Sequence, residues 1–199
     1  RMNRDYRIWS MYKSALKFRS DELFKIVQFT DLHWESLGDQ LDEWDQRTQM
    51  AMKKILDIEK PDLVVFTGDI MTSGSKSPIK ASKTTESIKD ALKIILKPML
   101  DSKIPWTLTL GNHEHSQHIE SNRLLRIISE LPMCQIKLRH KNSLDSGNYM
   151  LKIKGSSSKS SKWTLYFFDS GCKHDYPGRS YGWIEQQQIN WYDMQSILP

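Results

Sequence analysis

The chain has 199 residues, of which 38% are hydrophobic and 27% are charged, and its formal net charge is +5. This composition excludes collagen-like and mostly disordered proteins, and no apolar run approaches the ~20 residues of a membrane-spanning helix. The two cysteines cannot form a disulfide framework or, by themselves, a zinc site. A globular protein with one main domain and no transmembrane segment is therefore expected.

The net positive charge is confined to the N-terminal end of the chain. Residues 1–20 contain six basic residues and one acidic residue, so residues 21–199 carry 23 charges of each sign. We predict a basic, loosely packed extension over 1–20 and a single domain over 21–199. The alternative for the extension is binding to a membrane surface or to nucleic acid. It lacks the uninterrupted apolar stretch of a signal peptide, and the sequence has no N-x-[ST] sequon, which favours a cytoplasmic location.

Strands and helices alternate in the first two thirds of the sequence. In chain order we predict a strand over 24–30, a helix over 47–59, a strand over 62–67, a solvated loop over 72–85, a helix over 88–99, a strand over 106–110 and a helix over 124–131. The helix over 47–59 places Ala51, Ile55 and Ile58 on one face. This order predicts a parallel sheet covered by helices.

The last third of the sequence has a different pattern. Strands are predicted over 149–153 and 163–168, joined by the polar segment 155–162, followed by a helix over 183–196. The aromatic residues of that helix are expected in the core. A mixed or antiparallel sheet follows from the two adjacent strands, so the predicted fold class is α/β with a layered architecture.

Polar motifs follow three successive predicted strands. Asp31-Leu32-His33 comes after the first, Gly68-Asp69 after the second, and Gly111-Asn112-His113-Glu114 after the third. Taken singly, an Asp-x-His triplet is expected by chance in many chains of this length, and Gly-Asp after a strand is typical of an ordinary turn. Because ligands in open α/β sheets bind beyond the carboxyl ends of the strands, the ordered series predicts one common site. Carboxylates, imidazoles and an amide oxygen are ligands suited to Mn, Fe or Zn.

These motifs resemble those of the calcineurin-like metallophosphoesterases, whose series is D-x-H, G-D, G-N-H-[DE], a lone His and G-H-x-H. The first three motifs are present over residues 24–115. Asn148-Tyr149 and segments 165–171 and 181–192 are similar to the purple-acid-phosphatase-like branch, which extends the resemblance to 24–192. The resemblance implies a layered α/β/β/α sandwich whose C-terminal part, with the last two histidine motifs, is missing from this chain.

The resemblance also implies roles for individual residues. Asp31 and His33 would bind the first of two divalent or trivalent metal ions (Mn, Fe or Zn), Asp69 would bridge both ions, and Asn112 would bind the second. His113 would be catalytic, stabilising phosphoryl oxygens or protonating the leaving oxygen, while a metal-activated hydroxide attacks phosphorus.

Two further polar residues are candidates for contact with the substrate, Glu114 at the end of the third motif and Asp169 at the end of the strand over 163–168. For Asp169, a side chain that caps a structural turn is the favoured explanation. The remaining histidines are expected at the surface rather than in the metal site: His115, His118, His140 and His174. Purple enzymes of this branch carry a tyrosine where this sequence has Thr72, so a colourless enzyme is expected.

The function implied is a metal-dependent phosphoric ester hydrolase of the phosphomonoesterase or protein phosphatase type. Its substrate would be a phosphorylated small molecule or a phosphoprotein. A phosphodiesterase or nuclease is the alternative, and nucleic acid is disfavoured because residues 21–199 are electrically balanced. A non-catalytic interaction protein derived from the same fold is the third hypothesis.

Overall fold

A computed structural model describes residues 15–36, 40–80, 82, 84–138, 147–158, 160–172 and 181–197. The elements in chain order are β1 (Ile26–Phe29), α1 (Glu43–Glu59), β2 (Leu63–Phe66), a 3₁₀ turn (Gly74–Lys76), α2 (Thr85–Ile95), α3 (Lys97–Ser102), β3 (Trp106–Leu108), α4 (Asn112–His115), α5 (Ser121–Ser129), β4 (Tyr149–Lys154), β5 (Ser161–Phe167) and α6 (Gln186–Ile197). In this part of the chain, no helix is long and apolar enough to cross a membrane.

The three strands of the first half form one parallel sheet in the order β1-β2-β3. Phe29 pairs with Phe66, and Phe66 pairs with Leu108, so the three carboxyl ends lie side by side. Strand β2 is buried along its whole length, as expected for the central strand of a covered parallel sheet. The sheet and its helices confirm the predicted α/β class.

The second half forms an antiparallel pair, β4 with β5, as the sequence pattern predicted. Tyr149 of β4 stacks on Phe167 of β5, with ring centroids 4.7 Å apart. The Tyr149 hydroxyl also lies 2.6 Å from the Thr107 hydroxyl and donates to the carbonyl of Leu108. These contacts fasten the antiparallel pair to the parallel sheet through strand β3.

Helix α1 begins four residues before its predicted start. The Asp42 side chain accepts a hydrogen bond from the N–H of Asp45 (2.8 Å), which caps the helix, and Lys60 ends it in a left-handed conformation. Met52 and Leu56 are the apolar residues that it buries. The apolar face singled out from the sequence is turned to solvent, and Ile58 is 65% exposed.

Three further segments differ from the sequence-based expectation. Residues 15–20 are part of the fold, because Leu16 and Phe18 are buried and Lys17 pairs with Lys154; residues 1–14 of the predicted extension lie outside the described part. The predicted solvated loop over 72–85 contains a buried isoleucine, Ile79. The aromatic residues of helix α6 were expected in the core, but Tyr192 is 40% exposed and Trp191 is only partly buried, at the edge of Tyr166 in β5.

Candidate metal and phosphate site

The loops that follow β1 and β2 run side by side at the carboxyl edge of the sheet. The N–H of Asp31 donates to the carbonyl of Gly68 (3.1 Å), and the N–H of His33 donates to the carbonyl of Asp69 (3.0 Å). Asp31, His33 and Asp69 all adopt left-handed backbone conformations, with φ of 54°, 48° and 52°. Non-glycine residues seldom adopt this conformation, and such local strain concentrates at functional sites.

Two glycines allow the second and third loops to approach each other. A Cβ on Gly68 would lie 2.6 Å from the Cα of Gly111, and a Cβ on Gly111 would lie 2.2 Å from Oδ1 of Asp69. Gly68 also has a φ of 103°, which side chains rarely permit. Both glycines are therefore required for Asp69 to sit against the start of helix α4.

The side chain of Glu114 holds the backbone of the loop that carries Asp69. Its Oε2 accepts hydrogen bonds from the N–H groups of Asp69 (2.7 Å) and Gly111 (2.9 Å), and its Oε1 accepts from those of Ile70 (2.9 Å) and Met71 (3.3 Å). Burial raises the pKa of the Glu114 carboxyl, and the N–H groups act in the opposite direction. Glu114 was a candidate for contact with the substrate, but its side chain is fully buried in these backbone contacts.

Three of the predicted site residues form a compact group of metal-ligating atoms. His33, Asp69 and His113 each offer one such atom, and these atoms lie within 4.8 Å of one another. The Asp31 carboxylate is 3.6 Å from Nε2 of His33. The rings of His33 and His113 meet edge to face, with centroids 4.7 Å apart. Carboxylate oxygen and imidazole nitrogen at these separations can hold a transition-metal ion.

His113 is held at both its backbone and its ring. Its N–H donates to Oδ1 of Asp69 (2.9 Å), and its Nδ1 accepts a hydrogen bond from the N–H of Ser73 (3.1 Å). Because a backbone N–H can only donate, Nδ1 must be unprotonated in this contact. A neutral His113 ring therefore carries its proton on Nε2.

A cavity of about 200 Å³ lies over this edge of the sheet. Its lining includes Asp31, Asp69 and Asn112 on one side and Ser170 and Tyr181 on the other. Three of the four predicted metal residues thus line one cavity together with residues that follow β5, whereas His33 is not part of its lining. A cavity of this size can accommodate a phosphate group.

Comparison with known proteins decides the family. The sequence profile of the calcineurin-like phosphoesterases matches residues 24–195. The chain belongs to the calcineurin-like phosphoesterase family. A protein from Arabidopsis thaliana named "Probable inactive purple acid phosphatase 28" is 31% identical over 92% of this chain. "Phosphatase DCR2" of Saccharomyces cerevisiae is 35% identical over 83% of the chain. "Probable glycerophosphodiester phosphodiesterase GpdQ" of Arcobacter nitrofigilis is 24% identical over 85%.

These relatives are considerably longer than this chain. The chain spans 50% of the Arabidopsis relative and 30% of the yeast relative. The resemblance to calcineurin-like phosphoesterases and to the purple-acid-phosphatase-like branch is thereby confirmed, with two further Arabidopsis purple acid phosphatase relatives at 28% and 32% identity.

Asp169 directly precedes the cavity-lining residues Ser170 and Gly171, and it pairs with a histidine. Its Oδ1 accepts a hydrogen bond from Nε2 of His115 (2.6 Å) and another from the N–H of Gly171 (2.9 Å). The side chains of His115 and Asp169 are 16% and 3% exposed, so this histidine is not the surface residue that the sequence suggested. The Asp169 carboxylate raises the pKa of His115, against the effect of burial. Nδ1 of the same ring contacts the hydroxyl of Ser121 (2.9 Å).

Of the remaining histidines, none that the structure describes contributes a side chain to the site. His118 is exposed, as predicted, while His140 and His174 lie outside the described part of the chain. Sequence reasoning missed Ser73, which contributes a backbone N–H, and Gln117, whose amide joins two loops. A backbone donor leaves no trace in residue identity. Gln117 had one available signal, its position four residues after His113 on the same side of a helical turn.

Proposed function

We propose that this phosphoesterase chain forms part of a metal-dependent phosphoric ester hydrolase with a binuclear site. The observation that carries the proposal is the gathering of metal-ligating side chains at one place: His33 and Asp69 offer ligand atoms within 4.8 Å of each other and of His113, and Asp31 and Asn112 line the cavity that Asp69 also lines. Five residues from three separate loops reach one place, and three of them hold rare backbone conformations. Such strain persists only where the surrounding structure enforces it.

The donor atoms fit a pair of Mn, Fe or Zn ions in their chemistry. Asp31 and His33 would hold one ion, Asn112 would contribute to the other, and Asp69 would reach both because it lies between the two loops. When bound, the ions would supply the Lewis acidity that activates water and neutralises charge on the phosphoryl group. The protein contributes a rigid carboxylate, since Glu114 and Gly111 fix the backbone that carries Asp69.

We assign His113 to the substrate rather than to a metal ion. A histidine that binds a metal through one ring nitrogen almost always donates the other ring N–H to an acceptor. Nδ1 of His113 accepts from the Ser73 N–H instead. Its Nε2–H is therefore available to donate a hydrogen bond to a phosphoryl oxygen, or a proton to the leaving oxygen.

The preferred substrate class is a phosphomonoester, free or on a protein. Residues 21–199 carry equal numbers of basic and acidic residues, whereas a nucleic-acid groove usually spreads positive charge over the fold. The Arcobacter relative named a phosphodiesterase supports the alternative substrate class. The Arabidopsis relatives named inactive support the third hypothesis, a non-catalytic protein.

An assay on the full-length protein containing this chain distinguishes the three hypotheses. With Mn²⁺ present, we expect hydrolysis of an aryl phosphomonoester and much slower hydrolysis of the corresponding bis-aryl diester. Preference for the diester would favour the phosphodiesterase. Absence of both activities, with metal bound, would favour the non-catalytic protein.

Two substitutions test the assigned roles. Asp69→Asn should reduce turnover at least about 10²-fold, because a bridging charge is lost. The matched control is Asp101→Asn, at an exposed carboxylate on helix α3 that pairs with Lys97. His113→Ala should reduce turnover while metal content, measured by elemental analysis, stays unchanged. Loss of metal in proportion to activity would show that His113 is a ligand.

A further inference from the structure

The side-chain amide of Gln117 joins helix α4 to the loop that follows β2. Its Nε2 donates to the carbonyl of Thr72 (3.1 Å) and to the carbonyl of His113 (3.0 Å). Its Oε1 accepts a hydrogen bond from the hydroxyl of Ser77. Both N–H groups and the oxygen of this one amide are therefore used.

The carbonyl of Thr72 and the N–H of Ser73 belong to the same peptide group. A trans peptide group is planar, and its C=O and N–H point in opposite directions. Gln117 holds the carbonyl end, while the N–H end donates to Nδ1 of His113. Fixing the direction of the carbonyl therefore fixes the direction of the N–H that meets the histidine ring. Hydrogen bonds at both ends of one peptide group also polarise each other.

The rest of this loop is tied to the opposite side of the site. The N–H of Thr72 donates to the carbonyl of Trp34 (3.0 Å), and its hydroxyl donates to the carbonyl of His33 (2.9 Å). These contacts restrain the position of Thr72 but leave the peptide that follows it free to rotate. Gln117 restrains that rotation.

We propose that Gln117 is a positioning residue that sets the tautomer of His113 through the Thr72–Ser73 peptide. With Gln117 in place, Nδ1 of His113 accepts and the proton stays on Nε2, where the proposed catalytic role requires it. Without it, the peptide can turn away, and the proton is free to occupy either nitrogen. The effect on catalysis rests on the proposed role of His113, but the effect on the tautomer does not.

The tautomer is measured directly by long-range ¹H–¹⁵N correlation spectra of the metal-free chain, at about pH 8.5, which is about two pH units above the reference pKa of a free imidazole. In the parent chain the His113 ring should show an unprotonated Nδ1 and a protonated Nε2. In Gln117→Met, which keeps the volume but removes all three hydrogen bonds, a second set of nitrogen shifts or their average should appear. Gln117→Glu keeps the acceptor for Ser77 and loses both donors, and it should show the same change.

The kinetic arm uses the full-length protein with Mn²⁺ and an aryl phosphate. Both Gln117 variants should lower kcat about 10-fold to 10²-fold, with KM within about twofold of the parent, since the lost function is proton delivery rather than binding. The control is Gln135→Met, at a buried glutamine whose amide donates to the carbonyl of Met133. It should change neither the His113 spectrum nor kcat.

The outcomes separate this inference from the proposed function. An unchanged His113 spectrum in folded Gln117→Met, or in folded Gln117→Glu, would overturn the positioning role, whatever the activity. If the His113 spectrum changes in the variants but the parent protein hydrolyses no phosphate ester, the positioning role is supported and the proposed function is rejected. A changed spectrum with unaltered kcat would show that the tautomer does not govern the reaction, and would overturn the inference in its catalytic form.

Discussion

The substitution Glu114→Gln tests whether one buried carboxylate holds the Asp69 loop. The two oxygens of Glu114 accept hydrogen bonds from four backbone N–H groups. Glutamine has nearly the same shape but only one acceptor oxygen, so two of these N–H groups would lose their acceptor and face an NH₂ donor. An unsatisfied buried N–H costs about 1–3 kcal/mol, so the free energy of unfolding should fall by about 2–6 kcal/mol.

The assay is urea unfolding of the parent and variant chains, followed by circular dichroism. For a chain of this length the same loss corresponds to a decrease in Tm of about 5–20 °C. Affinity for Mn²⁺ should also fall at least about 10-fold, because the backbone that carries Asp69 is no longer held. The matched control is Glu120→Gln, at an exposed residue whose side chain makes no capping hydrogen bond, and it should change stability by less than about 0.5 kcal/mol.

A loss smaller than about 1 kcal/mol in a correctly folded Glu114→Gln chain would refute the reasoning. It would mean that the loop is held in place by the packing of the two glycines rather than by the carboxylate. Unaltered stability combined with weaker Mn²⁺ binding would place the effect in local geometry and not in the free energy of unfolding.

The remaining predictions concern packing, pH and metal chemistry. Gly111→Ala should abolish Mn²⁺ binding, measured by calorimetry, because the added Cβ would lie 2.2 Å from the Asp69 carboxylate. The control Gly155→Ala, whose Cβ would have its nearest contact at 3.4 Å, should leave Mn²⁺ binding unchanged. The raised pKa of His115 means that its ion pair stabilises the fold fully below about pH 6.5 and is lost as pH rises through the folded-state pKa. His115→Gln should therefore cost more stability at about pH 5.5 than at about pH 9, and the exposed His118→Gln should show no such difference; a larger loss at the higher pH would contradict the assignment. Iron-loaded full-length protein should lack an intense visible band, because Thr72 stands at the tyrosine position and donates its hydroxyl to a backbone carbonyl; a band removed by a Tyr substitution would disprove this. The 199-residue chain by itself should bind no more than one Mn²⁺ and be inactive, and a calorimetric stoichiometry near two with turnover would contradict that.

Local sequence patterns determined the order of the elements and the edge of the sheet where the motifs meet. The alternation of strand and helix depends on side-chain periods of 2 and 3.6 residues, and these periods are properties of neighbouring residues. A polar motif directly after a buried strand must also leave the sheet at its carboxyl end, since no other direction is available. The convergence of Asp31, Asp69 and Asn112 on one cavity follows from that constraint and from the parallel order of the strands. Their individual roles as ligands stay predictions.

Tertiary structure alone decided which atoms meet. Glu114 anchors a loop that starts 45 residues earlier in the sequence, the Gln117 amide reaches a carbonyl 45 residues away, and His115 pairs with a carboxylate 54 residues later. No periodicity encodes such pairs, because they depend on the packing of whole elements. The face of helix α1 that is buried was decided in the same way: Ile58 is exposed and Met52 is buried, although both are apolar. The sequence by itself thus determined where polar groups could gather, and the packing of the loops decided which of them contact one another and which support the backbone, since hydrogen-bond geometry requires positions accurate to fractions of an ångström.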